Sequence, residues 1–143
     1  KTTDGNRFLP IWIGHPEAAA ILMKLQGAST PRPMTHDLLA DILEQIGAKC
    51  ERVSVTELRD NTFYAAITIL QDGSEVEIDS RPSDAIALAV RTDAPIFADD
   101  RVIEESAIEF EGEDVNEEEI VSEFKQFLDH VTPDEFAESS EED

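Results

Sequence analysis

Apolar residues recur along this chain with two periods, and the switches between them predict the order of elements. Residues 8–13 form a short apolar run that predicts a strand, ended by Gly14. Ala18, Ile21, Leu22 and Leu25 then repeat at helical spacing. His15-Pro16-Glu17 opens that helix, with proline in the first turn and an acid facing the positive end of the dipole, and Gly27 closes it. After the loop Ala28-Ser29-Thr30-Pro31-Arg32-Pro33, a second helix is expected with Thr35 as N-cap and Gly47 as its end. Leu38, Leu39, Ile42, Leu43 and Ile46 are read as its buried stripe. The period then drops to two. Val53 and Val55 alternate with Ser54 and Thr56, residues 62–70 are rich in β-formers, and Val76 and Ile78 alternate with acids over 75–79. Turns at Arg59-Asp60-Asn61 and Asp72-Gly73-Ser74 join the three runs into an antiparallel meander.

Residues 82–91 carry Ala85-Ile86-Ala87-Leu88-Ala89-Val90, with an acid first and an arginine last, which predicts a helix buried nearly all round. A short strand over 95–98 and a short helix over 99–105 follow. The predicted class is therefore α+β: a compact two-layer domain over 1–110 with a mostly antiparallel sheet. Beyond a polar boundary at 109–114, Asn116 and Glu119 make a capping pair. Ile120, Phe124, Phe127, Leu128 and Val131 then line one face of an amphipathic helix within a tail over 111–143, whose last five residues read as disordered. The chain also rhymes with itself. Ile13-Gly14-His15-Pro16-Glu17-Ala18 and the stretch from Ile78 to Ala85 share one grammar of strand end, proline, acid and apolar helix, which suggests a duplicated strand-plus-helix unit.

Charge changes this picture more than composition does. The net charge is −22, but residues 1–103 hold 16 acids against 10 Lys and Arg, and residues 104–143 hold 17 acids against one Lys. The body is mildly acidic at −6 and the tail carries −16, so repulsion of nucleic acid is concentrated in the tail. With 143 residues the chain supports one good core rather than two. No apolar run is long enough to span a bilayer, so no membrane partner is expected. A single cysteine, Cys50, excludes an intrachain disulfide and is read as a small core residue, which fits the reducing cytoplasm. The chain opens on Lys1 rather than Met, as a trimmed piece of a longer chain would.

Two segments concentrate the candidate chemistry, because each puts Arg-Pro ahead of a helix start that holds an acid: Arg32-Pro33-Met34-Thr35-His36-Asp37 and Arg81-Pro82-Ser83-Asp84. Free backbone N–H groups and a guanidinium at such a place bind phosphate, a carboxylate there can hold Mg2+ or Mn2+, and His36 can move a proton. Together these are a kit for phosphodiester hydrolysis. The same residues have a structural reading, in which Thr35 and Ser83 cap helices and each arginine neutralises an acid. Glu75, Glu77 and Asp79 share one strand face, which suits either a metal-binding wall or a solvated surface. HExxH, P-loop, GxSxG and paired CxxC motifs are all missing from the sequence.

Leu9-Pro10-Ile11-Trp12-Ile13-Gly14, Glu17-Ala18, Arg32-Pro33, Thr35-His36-Asp37-Leu38, Thr62-Phe63-Tyr64-Ala65 and Asp79 with the run from Arg81 to Ala89 closely resemble the bifunctional nuclease domain family, in order, over about residues 9–97. The resemblance implies a compact α+β fold with two similar halves around a curved sheet, often as a homodimer or other homo-oligomer. It also implies degradation of DNA and RNA, as in some plant relatives. The family pattern matches this chain at Arg32, His36, Asp37, Asp79, Arg81, Asp84 and Arg91, which makes these the site candidates. In a metal-dependent nuclease Arg32, Arg81 and Arg91 would bind phosphate and Asp79 with Asp84 a metal ion, while His36, Asp37 and Asp84 would be the catalytic set, with His36 oriented by Asp37. Two features depart from the family pattern. Only residues 1–7 precede the Leu-Pro-Ile-Trp-Ile-Gly segment, where relatives carry a further strand, so one sheet edge is expected to be open or completed by another copy. The acidic tail lies outside the core pattern and is similar to that of actinobacterial members.

Two functions compete at this level. One is a metal-dependent nuclease. The other is a non-catalytic regulatory or oligomeric module, whose tail binds a basic protein partner or covers the site. The enzymatic one turns on whether the two arginine-flanked helix openings meet in a common pocket, rather than lying apart or merely neutralising their own acids in a dry interior.

Overall fold

In a computed structural model the described residues are 1–3, 5–109, 118, 121 and 122. They divide into two units, Phe8–Ile108 on one hand and Lys1–Arg7 with Glu109–Asp143 on the other. In the smaller unit the amide of Thr2 donates to the carbonyl of Arg7 at 2.9 Å. The amphipathic helix and disordered end expected in the tail lie outside the described residues, apart from Glu118, Val121 and Ser122, which are helical.

The larger unit follows the α+β class. The elements in order are β1 (Arg7–Phe8), α1 (His15–Leu25), α2 (Thr35–Gln45), β2 (Lys49–Arg59), β3 (Thr62–Gln71), β4 (Ser74–Ser80), α3 (Pro82–Thr92), β5 (Ile96–Ala98), α4 (Asp100–Ser106) and β6 (Ile108–Glu109), of which β1 and β6 straddle the unit boundary. The main sheet has the order β4-β3-β2-β5, antiparallel except for the parallel β2–β5 pair, and β1 with β6 forms a two-stranded sheet. Both hairpins turn on two residues of positive φ, Asp60-Asn61 and Asp72-Gly73, whose twist matches that of the strands they join.

The helix layer lies on one face of this sheet, with α3 at its centre. Cys50, Val53, Ala65, Ile67 and Ile69 from the strands pack against Ala85, Leu88 and Ala89 of α3. Leu88 and Val53 are among the largest fully buried side chains, each worth about 1.5–3 kcal/mol on burial. Cys50 and Val53 are three residues apart yet both face the core. A bulge between Cys50 and Arg52 resets the alternation, which a strict period of two cannot place.

Three expectations need correction. The strand expected over 8–13 shrinks to Arg7–Phe8, and residues 9–14 have no regular structure, so α1 lacks the paired strand that precedes α3. The N-cap of α2 is Met34 rather than Thr35, because the Asp37 carboxylate, not the Thr35 hydroxyl, takes the free amide of Met34 at 3.0 Å. The stripe of α2 is not buried: Leu38, Ile42 and Ile46 are about half exposed, and neither α1 nor α2 contains a buried residue. The reason is position. Helix α3 covers the centre of the sheet, leaving one flank of α2 beside an uncovered β4. There Val76 and Ile78, opposite Ile69 and Ile67, are also half exposed, while Glu75, Glu77 and Asp79 occupy the other face of the strand.

Candidate active site

The openings of α1, α2 and α3 converge. Each of these helices carries an acid at its third helical position: Glu17, Asp37 and Asp84. His36 Nε2 lies 2.9 Å from Asp84 Oδ1, across 48 residues of sequence. The other Asp84 oxygen accepts from Arg81 Nε at 2.9 Å, and Arg81 Nη1 reaches on to Glu17 Oε1 at 3.3 Å. Burial pushes the Asp84 carboxyl up, but the hydrogen bonds from His36 and Arg81 outweigh it and hold the group below the usual carboxylate range. An ionised carboxylate only accepts, so Nε2 of His36 is the donor, and Nδ1 is left as the ring's remaining basic atom. The carboxylate that orients His36 is therefore Asp84 and not Asp37.

Asp37 belongs to a second arginine–carboxylate pair. Arg91 Nε donates to Asp37 Oδ1 at 2.6 Å, and its two terminal nitrogens donate to the carbonyls of Ala87 and Ala20 at 2.9 Å each. The Arg91 side chain is 6% exposed, so its fork is committed to binding α1, α2 and α3 together. The hydrogen bond from Arg91, with that from the Met34 amide, holds the Asp37 carboxyl below its ordinary range. Arg32 stands apart: it is exposed, and its carbonyl accepts from the Thr30 hydroxyl at 2.6 Å. Asp79 is exposed near the end of β4 and borders the same groove as His36, Arg81 and Asp84, although the alternation of the strand sets it on the face opposite Ile78.

That groove is open and encloses about 980 Å³. One end is polar, with Glu17, His36, Asp79, Arg81 and Asp84. The rest is aliphatic, walled by Leu38, Leu39 and Ile42 of α2 and Ile78 of β4 over a floor that includes Ile67 and Ile69. Among the described residues no group of three or more His, Cys, Asp or Glu side chains could hold a metal ion, and Asp84 already spends both oxygens on His36 and Arg81. The site residue that sequence reasoning missed is Glu17. Its signal was available, since it follows proline in the first turn of α1 as Asp84 does in α3.

A helical layer on one face of a meander, with a histidine–carboxylate–arginine cluster where three helices open, defines an α+β domain with a groove that is polar at one end. The chain belongs to the bifunctional nuclease domain family, whose model matches residues 1–111. It is 37% identical over 142 residues to an uncharacterized protein of Mycobacterium tuberculosis, covering 95% of this chain and 85% of that protein. It is 29% identical over 106 residues to bifunctional nuclease 1 of Oryza sativa subsp. indica and 28% identical over 100 residues to bifunctional nuclease 2 of Arabidopsis thaliana. Those matches cover 71% and 67% of this chain but only 32% and 30% of the plant proteins. No helix among the described residues is long and apolar enough to cross a membrane.

Proposed function

We propose that the groove hydrolyses phosphodiester bonds in DNA and RNA. The observation that carries this reading is the 2.9 Å contact between His36 Nε2 and Asp84 Oδ1, with Arg81 on the other carboxylate oxygen. Asp84 orients the imidazole, His36 Nδ1 takes a proton from the attacking water, and Arg81 donates to the phosphate as negative charge develops. Arg32 is an outlying contact for the strand of the substrate, and Arg91 and Asp37 support the site from behind. Among the described residues no three His, Cys, Asp or Glu side chains form a metal centre, and the proposed chemistry rests on His36, Asp84 and Arg81. Asp79 is the proposed contact for Mg2+ or Mn2+ brought in on the substrate, the mode in which magnesium takes one or two carboxylates and phosphate oxygens. The test is hydrolysis of single-stranded DNA and RNA, with and without EDTA, by the wild type, Asp84→Asn and His36→Ala. Loss of cleavage in both variants is expected. Equal residual activity in all three identifies a contaminant and removes the proposal.

A second reading is favoured by the aliphatic wall of the groove. We infer that a second copy covers Leu38, Ile42 and Ile46, making the protein a homo-oligomer whether or not it is catalytic. The same self-association is what an assembly module requires. Light scattering on the wild type and Ile42→Asp decides this point, a monomer in both refuting it. The net charge of −16 over residues 104–143 supports a basic protein partner for the tail, and pull-down with and without residues 111–143 tests it. The lone buried thiol of Cys50 supports a reducing, cytoplasmic setting.

A further inference from the structure

The polar end of the groove is anchored by a position with no side chain. Gly14 precedes α1 with φ −66° and ψ 154°, angles open to any L-residue, so the backbone does not demand glycine there. Space does. A methyl group on Gly14 would overlap Oε2 of Glu17 and lie 3.2 Å from its Cδ. The Glu17 carboxylate is folded back over this bare Cα. It is held 20% exposed on the first turn of an outer helix, and its Oε1 grips Arg81.

Arg81 is the member of the cluster most in need of such a grip. Its side chain is 64% exposed, and an arginine that open to water samples many rotamers unless two acceptors fix the plane of its fork. Asp84 fixes Nε and Glu17 fixes Nη1, so the orientation of the guanidinium is set and Nη2 is left without a protein acceptor among the described residues. Asp84 in turn holds His36. Contacts run from Gly14 to Glu17, Arg81, Asp84 and His36, joining the openings of α1, α3 and α2.

We propose that Gly14 and Glu17 are a positioning pair. The absent side chain at 14 seats the Glu17 carboxylate, and that carboxylate aims Arg81 at the substrate phosphate. The catalytic consequence rests on the hydrolase reading above, whereas the effect on Arg81 does not. Gly14→Ala is a clean probe because it alters no charge and fits the local backbone, so it acts by displacing Glu17. The experiment compares the wild type, Gly14→Ala, Glu17→Ala, the double variant and Glu17→Gln, which keeps an acceptor oxygen. It reads the Arg81 Nε–H and His36 ring signals by NMR, kcat and KM on single-stranded DNA, and melting temperature as a control. Gly14→Ala and Glu17→Ala should move the same Arg81 and His36 signals at nearly unchanged melting temperature and lower kcat/KM by about tenfold to a hundredfold. The double variant should match Glu17→Ala, and Glu17→Gln should recover part of the loss. An unmoved Arg81 signal in Gly14→Ala, or a further loss when it is added to Glu17→Ala, overturns the proposal. Should the wild type cleave nothing, the hydrolase reading fails on its own and the NMR signals still decide the positioning.

Discussion

Asp37→Ala and Asp84→Asn remove acids that look alike in sequence, yet the structure predicts opposite phenotypes. Asp37 faces Arg91, whose side chain is 6% exposed and cannot recover its hydration when the carboxylate goes. Breaking a fully buried pair from one side costs about 3–5 kcal/mol. Asp37 is itself 35% exposed, so water enters the vacated place and the cost falls to about 2 kcal/mol. Loss of the bond to the Met34 amide at the start of α2 adds about 1 kcal/mol. The sum of about 3 kcal/mol corresponds to a fall in melting temperature of about 10–20 °C for a unit of this size. Asp37→Ala/Arg91→Met removes the stranded charge as well and should regain part of that loss. Thermal melts followed by circular dichroism measure all three. The reasoning is refuted if Asp37→Ala melts with the wild type, or if the double variant is no more stable than Asp37→Ala alone.

Asp84→Asn, whose arginine partner is open to water, should change the melting temperature far less than Asp37→Ala while abolishing cleavage. A large loss of stability there would mark the cluster as structural. Because Asp37 and Asp84 are both held below their unfolded values, their contribution is complete above the unfolded carboxylate pKa of about 4 and is lost as pH falls through the folded values. Acid titration of stability should therefore show a limb below about pH 4 that flattens in Asp37→Asn, and an unchanged limb contradicts the assignment. Burial pushes the Cys50 thiol up, despite an opposing hydrogen bond with Thr92. Thiolate reagents at pH 8 should modify the native protein much more slowly than the denatured one, and equal rates would show that the sheet opens readily.

The meander was legible because its signals are local. Val53 and Val55 alternate, Asn61 and Gly73 tolerate positive φ, and acids and aliphatics interleave on β4. The helices were legible from their spacing, and the meeting of His36 with Asp84 was legible as a possibility from the repeated Arg-Pro openings. What sequence could not supply was neighbourhood. The period of α2 marks an apolar face but not whether anything covers it, and the apolar run at 8–13 lacks the pairing partner that would make it a full strand. Likewise Arg81 and Arg91 are ten positions apart in one helix segment, yet one is mostly solvated and the other sealed among three helices. Only tertiary packing separates a group able to meet substrate from one consumed in holding the scaffold.

Strand β4 ends the main sheet, and its two faces impose different rules on anything that approaches it. A like strand laid antiparallel along this border would bring Glu75, Glu77 and Asp79 against the same acids of its neighbour, and repulsion at such short range discourages growth into ribbons. The aliphatic side bears no such guard. Any second copy that met this strand would therefore find its favourable approach over Val76 and Ile78, where a face-to-face contact closes on itself, rather than along the acidic border, where stacking could continue.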